Sequence, residues 1–474
     1  MAIRSLSRTI SVLLLLFALD LVFSGARNAA AQDNPPLPVY VVQPGETLST
    51  IAVRFGIGID EIISANDLAN PNAIAAGSKL RIPGLDGVEG TLITETVPFG
   101  SNLSTLSLSH KFPILLLTKL NRIISPAEIY AGSVLIVPQQ DPEKVLSPQT
   151  SIKETESLLD IAAKNNTNPW TYSLLNRLNG SWDLSQSQII FGTKHDKQEF
   201  SPISPLIHNI AVSPLPLAQG KTIEIFIETN FNMEISGTLG KYPLQFYPSP
   251  PYGYFALTGI EALAPLGLYP VSLSGKTVDG QSFEYVQQVL LVSGNYTQEY
   301  VVGVDATTIE LDTVQTEDQI LAEIRGSEPS PLWKSPFHYP VDEPCLGSSF
   351  GNRRSYNIGE YEYYHTGVDL IVCANNLNIY APAPGVVKYV GNLPIHGNFT
   401  VIDHGAGVYS GYAHQAEILV KPGDFVETGQ QIGVIGNTGR SVGPHLHWEI
   451  WVNNIPVDPI DWVENFYPIL KTAQ

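Results

Sequence analysis

Cysteine is nearly absent from this chain. Only Cys345 and Cys373 occur in 474 residues, neither in a metal-binding or redox spacing, which excludes thiolate clusters and dithiol chemistry. Charge is sparse as well, at 15% of residues, and mostly of one sign. Lys and Arg number 26 against 45 Asp and Glu, for a net charge of −19. That balance argues against a nucleic-acid partner and against electrostatic capture by anionic polymers or lipid surfaces. No heptad pattern is present to fix an oligomeric state. Hydrophobic content of 43% is ordinary for globular protein, while 39 Gly and 36 Pro point to many turns and linkers. The length suits three or four domains.

Long apolar runs are also scarce. The one at the N-terminus, Ile10 to Phe23, follows Arg4 and Arg8 and precedes Ala29-Ala30-Ala31. A basic flank, an apolar core and a small-residue cleavage site predict a signal peptide over residues 1–31. Asp20 interrupts the run and makes it too short and polar for a membrane span. The mature chain is therefore expected to be exported, with no integral membrane segment. Export permits a Cys345–Cys373 disulfide.

Residues 39–193 repeat. Leu48, Leu103 and Leu158 recur every 55 residues, as do Asn66, Asn121 and Asn176; Gly77 recurs at Gly132 and Pro83 at Pro138. Each copy reads as strand, helix, helix, strand. In the first, Leu48, Ile51, Ala52 and Phe55 share one helix face, and Ile59, Ile62 and Ile63 are expected inward on the second helix. Tyr40-Val41-Val42-Gln43-Pro44-Gly45-Glu46-Thr47-Leu48 resembles the opening of the LysM module, a βααβ domain. The resemblance implies binding of glycans containing N-acetylglucosamine by repeat 1 (39–84). Repeat 2 (93–139) replaces that opening with Glu95 to Gly100, and degenerate repeat 3 (149–193) lacks the opening glycine and the closing proline.

Residues 200–300 change character. Thr222 to Glu228 alternates apolar and polar, as a half-buried strand does, and Tyr269 to Leu273 and Tyr285 to Val292 are further strands. Short strands at this spacing predict a β-sandwich spacer of immunoglobulin-like type. Residues 305–326 read as a helix ended by Arg325-Gly326, and Pro329, Pro331, Pro336 and Pro340 as an extended linker, so 305–335 joins the spacer to the last domain.

Six of the ten histidines fall between His365 and His447. Side chains two apart on a strand share a face, so Pro444 to Ile450 places His445 and His447 together, with Leu446 and Trp448 opposite. His365 and Asp369, four apart, fit one face of an extended segment. An HxH alone is a weak signal, since strand histidines often just face water. Two histidines and a carboxylate from separate strands, however, supply the three protein ligands of a catalytic zinc. A remaining imidazole then serves as general base or holds an oxyanion.

Here the chain resembles the lysostaphin-type, LytM-like zinc endopeptidases of bacterial peptidoglycan. The match includes Ser349 to Arg354, Ala381 to Val387, Val401 to Gly405, Val420 to Asp424 and Gly433 to Ser441. It implies an antiparallel β-sheet peptidase domain over residues 336–465. His365, Asp369 and His447 become the metal ligands for Zn2+, and His414 and His445 the catalytic imidazoles. A tyrosine among Tyr356, Tyr361, Tyr363 and Tyr364 would help hold the oxyanion. His404 is expected to be structural, and His396, His338, His195 and His208 to have no role. The expectation is a mainly β, multi-domain, extracytoplasmic hydrolase of peptide stems or crossbridges, held to peptidoglycan by its repeats. A non-catalytic activator of an amidase and a wall-binding scaffold are the alternatives. In some relatives a segment ahead of the enzyme domain covers the zinc, which makes residues 305–335 the place to look for one.

Overall fold

The computed structural model describes residues 37–70, 74–140, 146–152, 156–185, 188–193, 203–204, 206–324, 330–357, 359 and 361–468. The signal-peptide segment, His195, Arg325-Gly326 and Pro329 lie outside them. The chain divides into two compact units at Leu92. No helix among the described residues is long and apolar enough to cross a membrane.

The first unit holds repeat 1 as β1 (Val39–Val41), α1 (Leu48–Phe55), α2 (Ile59–Asn66) and β2 (Lys79–Arg81), with β1 antiparallel to β2. The α1 face is buried as expected, and a Thr47–Thr50 capping box starts the helix. On α2 only Ile62 is buried, and Ile59 is 39% exposed. A two-turn helix buries a stripe narrower than the three isoleucines span.

Repeat 2 comprises β3 (Thr91–Thr96), whose first two residues fall before the division, and, in the second unit, α3 (Leu103–Ser109), α4 (Ile114–Asn121) and β4 (Val134–Pro138). Repeat 3 follows as β5 (Ser147–Ser151), α5 (Leu158–Lys164), α6 (Pro169–Leu175) and β6 (Ile189–Gly192). The recurring asparagine does the same work in all three copies. Asn66 accepts the Arg81 N–H and donates to the Ile62 and Arg81 carbonyls. Asn121 does so with Ile136 and Leu117, and Asn176 with Phe191 and Tyr172. One amide thus closes the second helix and fixes the last strand to it. The recurring glycine sits at positive φ, +81° at Gly77 and +84° at Gly132. At Gly132 a Cβ would also stand 2.9 Å from the Pro216 backbone, because repeat 2 lies against the sandwich. There Ala131 donates to the Gln288 carbonyl and accepts from Leu290.

The sandwich comprises β7 (Ile207–Ser213), β8 (Leu217–Ala218), β9 (Thr222–Thr229), β10 (Met233–Leu239), β11 (Tyr242–Leu244), β12 (Tyr247–Ser249), β13 (Gly253–Gly259), β14 (Gly267–Thr277) and β15 (Ser282–Val292). Its sheets run β11-β10-β14-β15-β8 and β12-β13-β9-β7, and residues from both build one core. The half-buried reading of Thr222–Glu228 needs correction, because β9 is buried on both faces. Ile223, Ile225 and Ile227 enter the sandwich core. On the other face Phe226 joins the core of the last domain, and Thr222 accepts from Trp462 Nε1 at 2.9 Å.

After β16 (Gln298–Val301), a 3-10 turn and α7 (Leu311–Glu323) precede the last domain. The expected linker is in part core, since Trp333 and Phe337 are buried against Trp462. The last domain carries β17 (Cys345–Ser348), β18 (Arg353–Tyr356), β19 (Tyr361–Tyr364), β20 (Val368–Ile371), β21 (Asn378–Tyr380), β22 (Gly385–Leu393), β23 (Gly397–Gly405), β24 (Val408–Ala413), β25 (Gln415–Ile418), β26 (Phe425–Val426), β27 (Gln431–Ile435), β28 (His445–Val452), β29 (Ile455–Val457) and α8 (Pro459–Glu464). Its main sheet has the order β17-β20-β28-β24-β23-β22-β26, with β29 beside β28. Cys345 and Cys373 form the disulfide.

Candidate metal centre

Strand pairing assembles the site. In the antiparallel register of β20 and β28, Asp369 lies directly opposite His447, and Ala413 at the end of β24 faces His447 from the other side. Leu446 and Trp448 point into the core with no exposure, so the alternation forces His445 and His447 onto the opposite face. His365 enters from the turn before β20, its backbone pinned by Asn352 and Gly351. His414 follows β24 at φ +61°, a left-handed conformation that bulky residues avoid and that recurs at functional sites.

Three ligand atoms converge. His365 Nε2 is 3.0 Å from Asp369 Oδ1 and 3.0 Å from His447 Nδ1, and the last two are 2.9 Å apart. The other ring nitrogens fix the tautomers. His365 Nδ1 donates to the Ser349 carbonyl at 2.8 Å, and His447 Nε2 to Glu449 Oε1 at 2.8 Å. Two imidazole lone pairs and a carboxylate oxygen therefore face one another, a repulsive arrangement unless a cation sits among them. Ligands of a tetrahedral zinc with bonds of about 2.0–2.1 Å stand about 3.3 Å apart, so the donor set fits that ion with little movement.

Charged groups surround the three side chains. Burial would raise the Asp369 carboxyl, but the neighbouring histidines, His365 first, hold it well below the usual range. Arg354 Nη2 takes its second oxygen at 2.6 Å and is itself held by Glu299. Burial lowers His365 and favours the neutral ligand form. His447 is pulled down by burial and raised overall by its bonds to Asp369 and Glu449.

The two remaining imidazoles flank the ligands. His414 Nδ1 donates to the Thr438 carbonyl at 2.7 Å and His445 Nδ1 to the Gly443 carbonyl at 2.8 Å, so the neutral His414 ring presents Nε2 as an acceptor. Their ring centroids lie 4.8 Å apart, and His445 Nε2 is 3.5 Å from Asp369 Oδ1. Burial and the nearby His447 and His445 lower His414 well below its ordinary value, which keeps it a neutral base. All five sequence-predicted residues line one cavity, with Tyr356, Tyr363 and Tyr364 at its wall; the side chain of Tyr361 is outside the described set. His404 is fully buried and bonded to the Pro384 carbonyl and Ser410, as a structural residue should be.

Sequence reasoning missed four participants. Glu449 sits two residues beyond His447 on the same strand face, a signal open to the alternation rule. It also receives a bond from Thr366. Arg354 was inside a recognised motif but had no assigned role. His396 corrects the expectation of no role: it lines the cavity, with Nε2 3.5 Å from Glu449 Oε1. Its Nδ1 meets Glu317 of α7, a partner 79 residues away that no local pattern announces.

Residues 363–459 match the model of peptidase family M23, and residues 40–83 and 96–138 that of the LysM domain. The chain contains an M23 peptidase domain. The M23 region is similar to peptidoglycan DD-endopeptidase ShyA of Vibrio cholerae, with 40% identity over 25% of this chain and 28% of that one. It is equally similar, at 40% identity over 26% of this chain, to the DD-carboxypeptidase/endopeptidase Mpg of Neisseria meningitidis, of which it covers 27%. The chain thus spans little more than a quarter of the length of these relatives. Among solved structures, the catalytic domain of the antimicrobial peptidase lysostaphin from Staphylococcus simulans aligns at 26% identity with a TM-score of 0.21, covering 28% of this chain and 93% of that one.

Proposed function

We propose that the chain is an exported, zinc-dependent peptidoglycan endopeptidase that hydrolyses amide bonds in peptide stems or crossbridges. One observation carries the reading: three lone-pair donors of His365, Asp369 and His447 converge within 3.0 Å, in the cavity that the imidazoles of His414 and His445 also line. When bound, zinc polarises a carbonyl oxygen and lowers the pKa of water to about 7. The chain's own part is positioning and proton transfer. His414 Nε2, kept neutral, takes the proton that water gives up on attacking the amide carbonyl. His445, beside it, donates to the developing oxyanion when it carries a proton on Nε2 as well as on Nδ1, and His414 then passes its proton to the nitrogen of the leaving amine as the C–N bond breaks. The similarity to named peptidoglycan endopeptidases supports the substrate class.

Repeat 1 is proposed to hold the enzyme on N-acetylglucosamine-containing strands, and the disulfide suits an oxidising compartment outside the cytoplasm. Incubating the protein with purified peptidoglycan should release free amines, and a zinc chelator should stop the release. No release from a folded, zinc-loaded sample would turn the reading to a latent enzyme or to an activator of an amidase, and the Glu317→Ala variant, active only in the first case, would tell the two apart. Deleting residues 40–83 should abolish wall binding in a pull-down with insoluble peptidoglycan; undiminished binding would move that role elsewhere.

A further inference from the structure

The M23 domain is not alone in its cleft. Helix α7 comes from the chain ahead of it, and its Ile320 and Leu321, with Ile324 just past its end, join a cluster with Leu393, Phe399 and Trp451. From this helix Val314 and Asp318 line the cavity that holds the three ligands. Glu317 goes deeper and is 1% exposed. A buried carboxylate is costly unless its oxygens are bonded, and three donors from a single turn bond this one. The N–H of Ile395 reaches Oε2 at 2.7 Å, the N–H of His396 reaches Oε1 at 3.1 Å, and His396 Nδ1 meets Oε1. All three belong to the hairpin turn between β22 and β23, which is part of the M23 domain and borders the cleft.

Two successive backbone N–H groups and an imidazole aimed at one point form a receptor for a carboxylate, whichever molecule supplies it. The receptor is tied to the metal centre through His396, Glu449 and His447. Glu317 reaches it from outside the domain's own sheet. The neighbouring chain is clipped in place as well: Arg440 donates to the Thr308 carbonyl at 3.2 Å, and β16 pairs with β18 in parallel.

We propose that the Ile395–His396 turn is a subsite for a free carboxylate of the peptide substrate, and that Glu317 fills it in place of that group. The helix is thus a built-in occupant of the cleft, and a peptide carrying a carboxylate must displace it. This rests on the reading of the site as a peptidase cleft.

The test uses the full chain and N-acetyl-alanyl-alanine, as free acid and as C-terminal amide, titrated by calorimetry. The unsubstituted protein should bind neither. Glu317→Ala should bind the acid at least about tenfold more tightly than the amide, and adding His396→Ala should remove most of that preference. Should Glu317→Ala fail to fold, Glu317→Gln keeps the shape of the side chain while removing its charge, and should show the same preference more weakly. A folded variant that binds acid and amide alike, or binds neither, overturns the subsite. The two readings fail separately. Acid-selective binding without hydrolysis of peptidoglycan would reject the peptidase and keep the subsite, whereas hydrolysis without acid preference would do the reverse.

Discussion

Asp369 divides its work between its two oxygens. Oδ1 faces His365 and His447, and Oδ2 is taken by Arg354. Replacing Arg354 with Ala takes from Oδ2 its charged partner, and replacing Glu449 with Gln weakens the acceptor that fixes His447. Each change is expected to lower zinc affinity about 10- to 100-fold, measured by competition with a chromophoric chelator. Asp369→Ala and His447→Ala should lose both bound zinc and hydrolysis. His445→Ala should keep zinc by elemental analysis and lose about 10²- to 10⁴-fold in turnover. Full activity in Asp369→Ala would sink the ligand assignment. At this scale the convergence of His365, Asp369 and His447 was open to the sequence, because the family resemblance marks these positions and strand alternation and an i, i+4 spacing are local. The Glu317–His396 contact was not, since it joins elements 79 residues apart and arises only from tertiary packing.

Between elements, the disulfide joins β17 to the segment just after its partner β20, at a sequence separation of 28. In the chain-entropy account, reduction should cost about 3–4 kcal/mol, seen as a lower urea midpoint for the transition that includes the M23 domain in the presence of reductant. An unchanged midpoint would show that the native pairing alone constrains the loop. The strand β9 illustrates where pattern reading falls short. Thr222, Glu224 and Phe226 look like an outward face, and in isolation would be one. Their burial depends on a surface more than 200 residues further along, where Trp462 meets Thr222. Trp333 and Phe337 were hidden in the same way by the prolines around them, which spoke for a linker while the aromatic rings sought a core.

Across the molecule, sandwich and M23 domain share a core, because Phe226, Phe255 and Leu257 cluster with Val408, Ile450 and Trp462. Lys221 adds bonds to Asp458 and Asp461 over the same boundary. The two should therefore unfold together, as one calorimetric transition. Phe226→Ala should lower that transition as a whole, by about 3–5 kcal/mol. Two resolved transitions, with only one of them moved, would contradict a shared core. The repeats were the most legible feature at this scale, since a period of 55 survives in sequence, and the asparagine that marks it holds each copy shut.

The helix over the cleft is fastened on both sides, by β16 along β18 ahead of it and by Trp333 in the core behind it. A group tethered in this way competes at an effective concentration of roughly millimolar, whatever the dilution of the protein. Small soluble peptides rarely reach such levels. A polymer that carries many stems on one strand does so wherever the enzyme rests on it. On the proposed reading, then, the strap sets a threshold on crowding: a polymer dense in carboxylate-bearing stems would open the cleft, and scattered fragments would not.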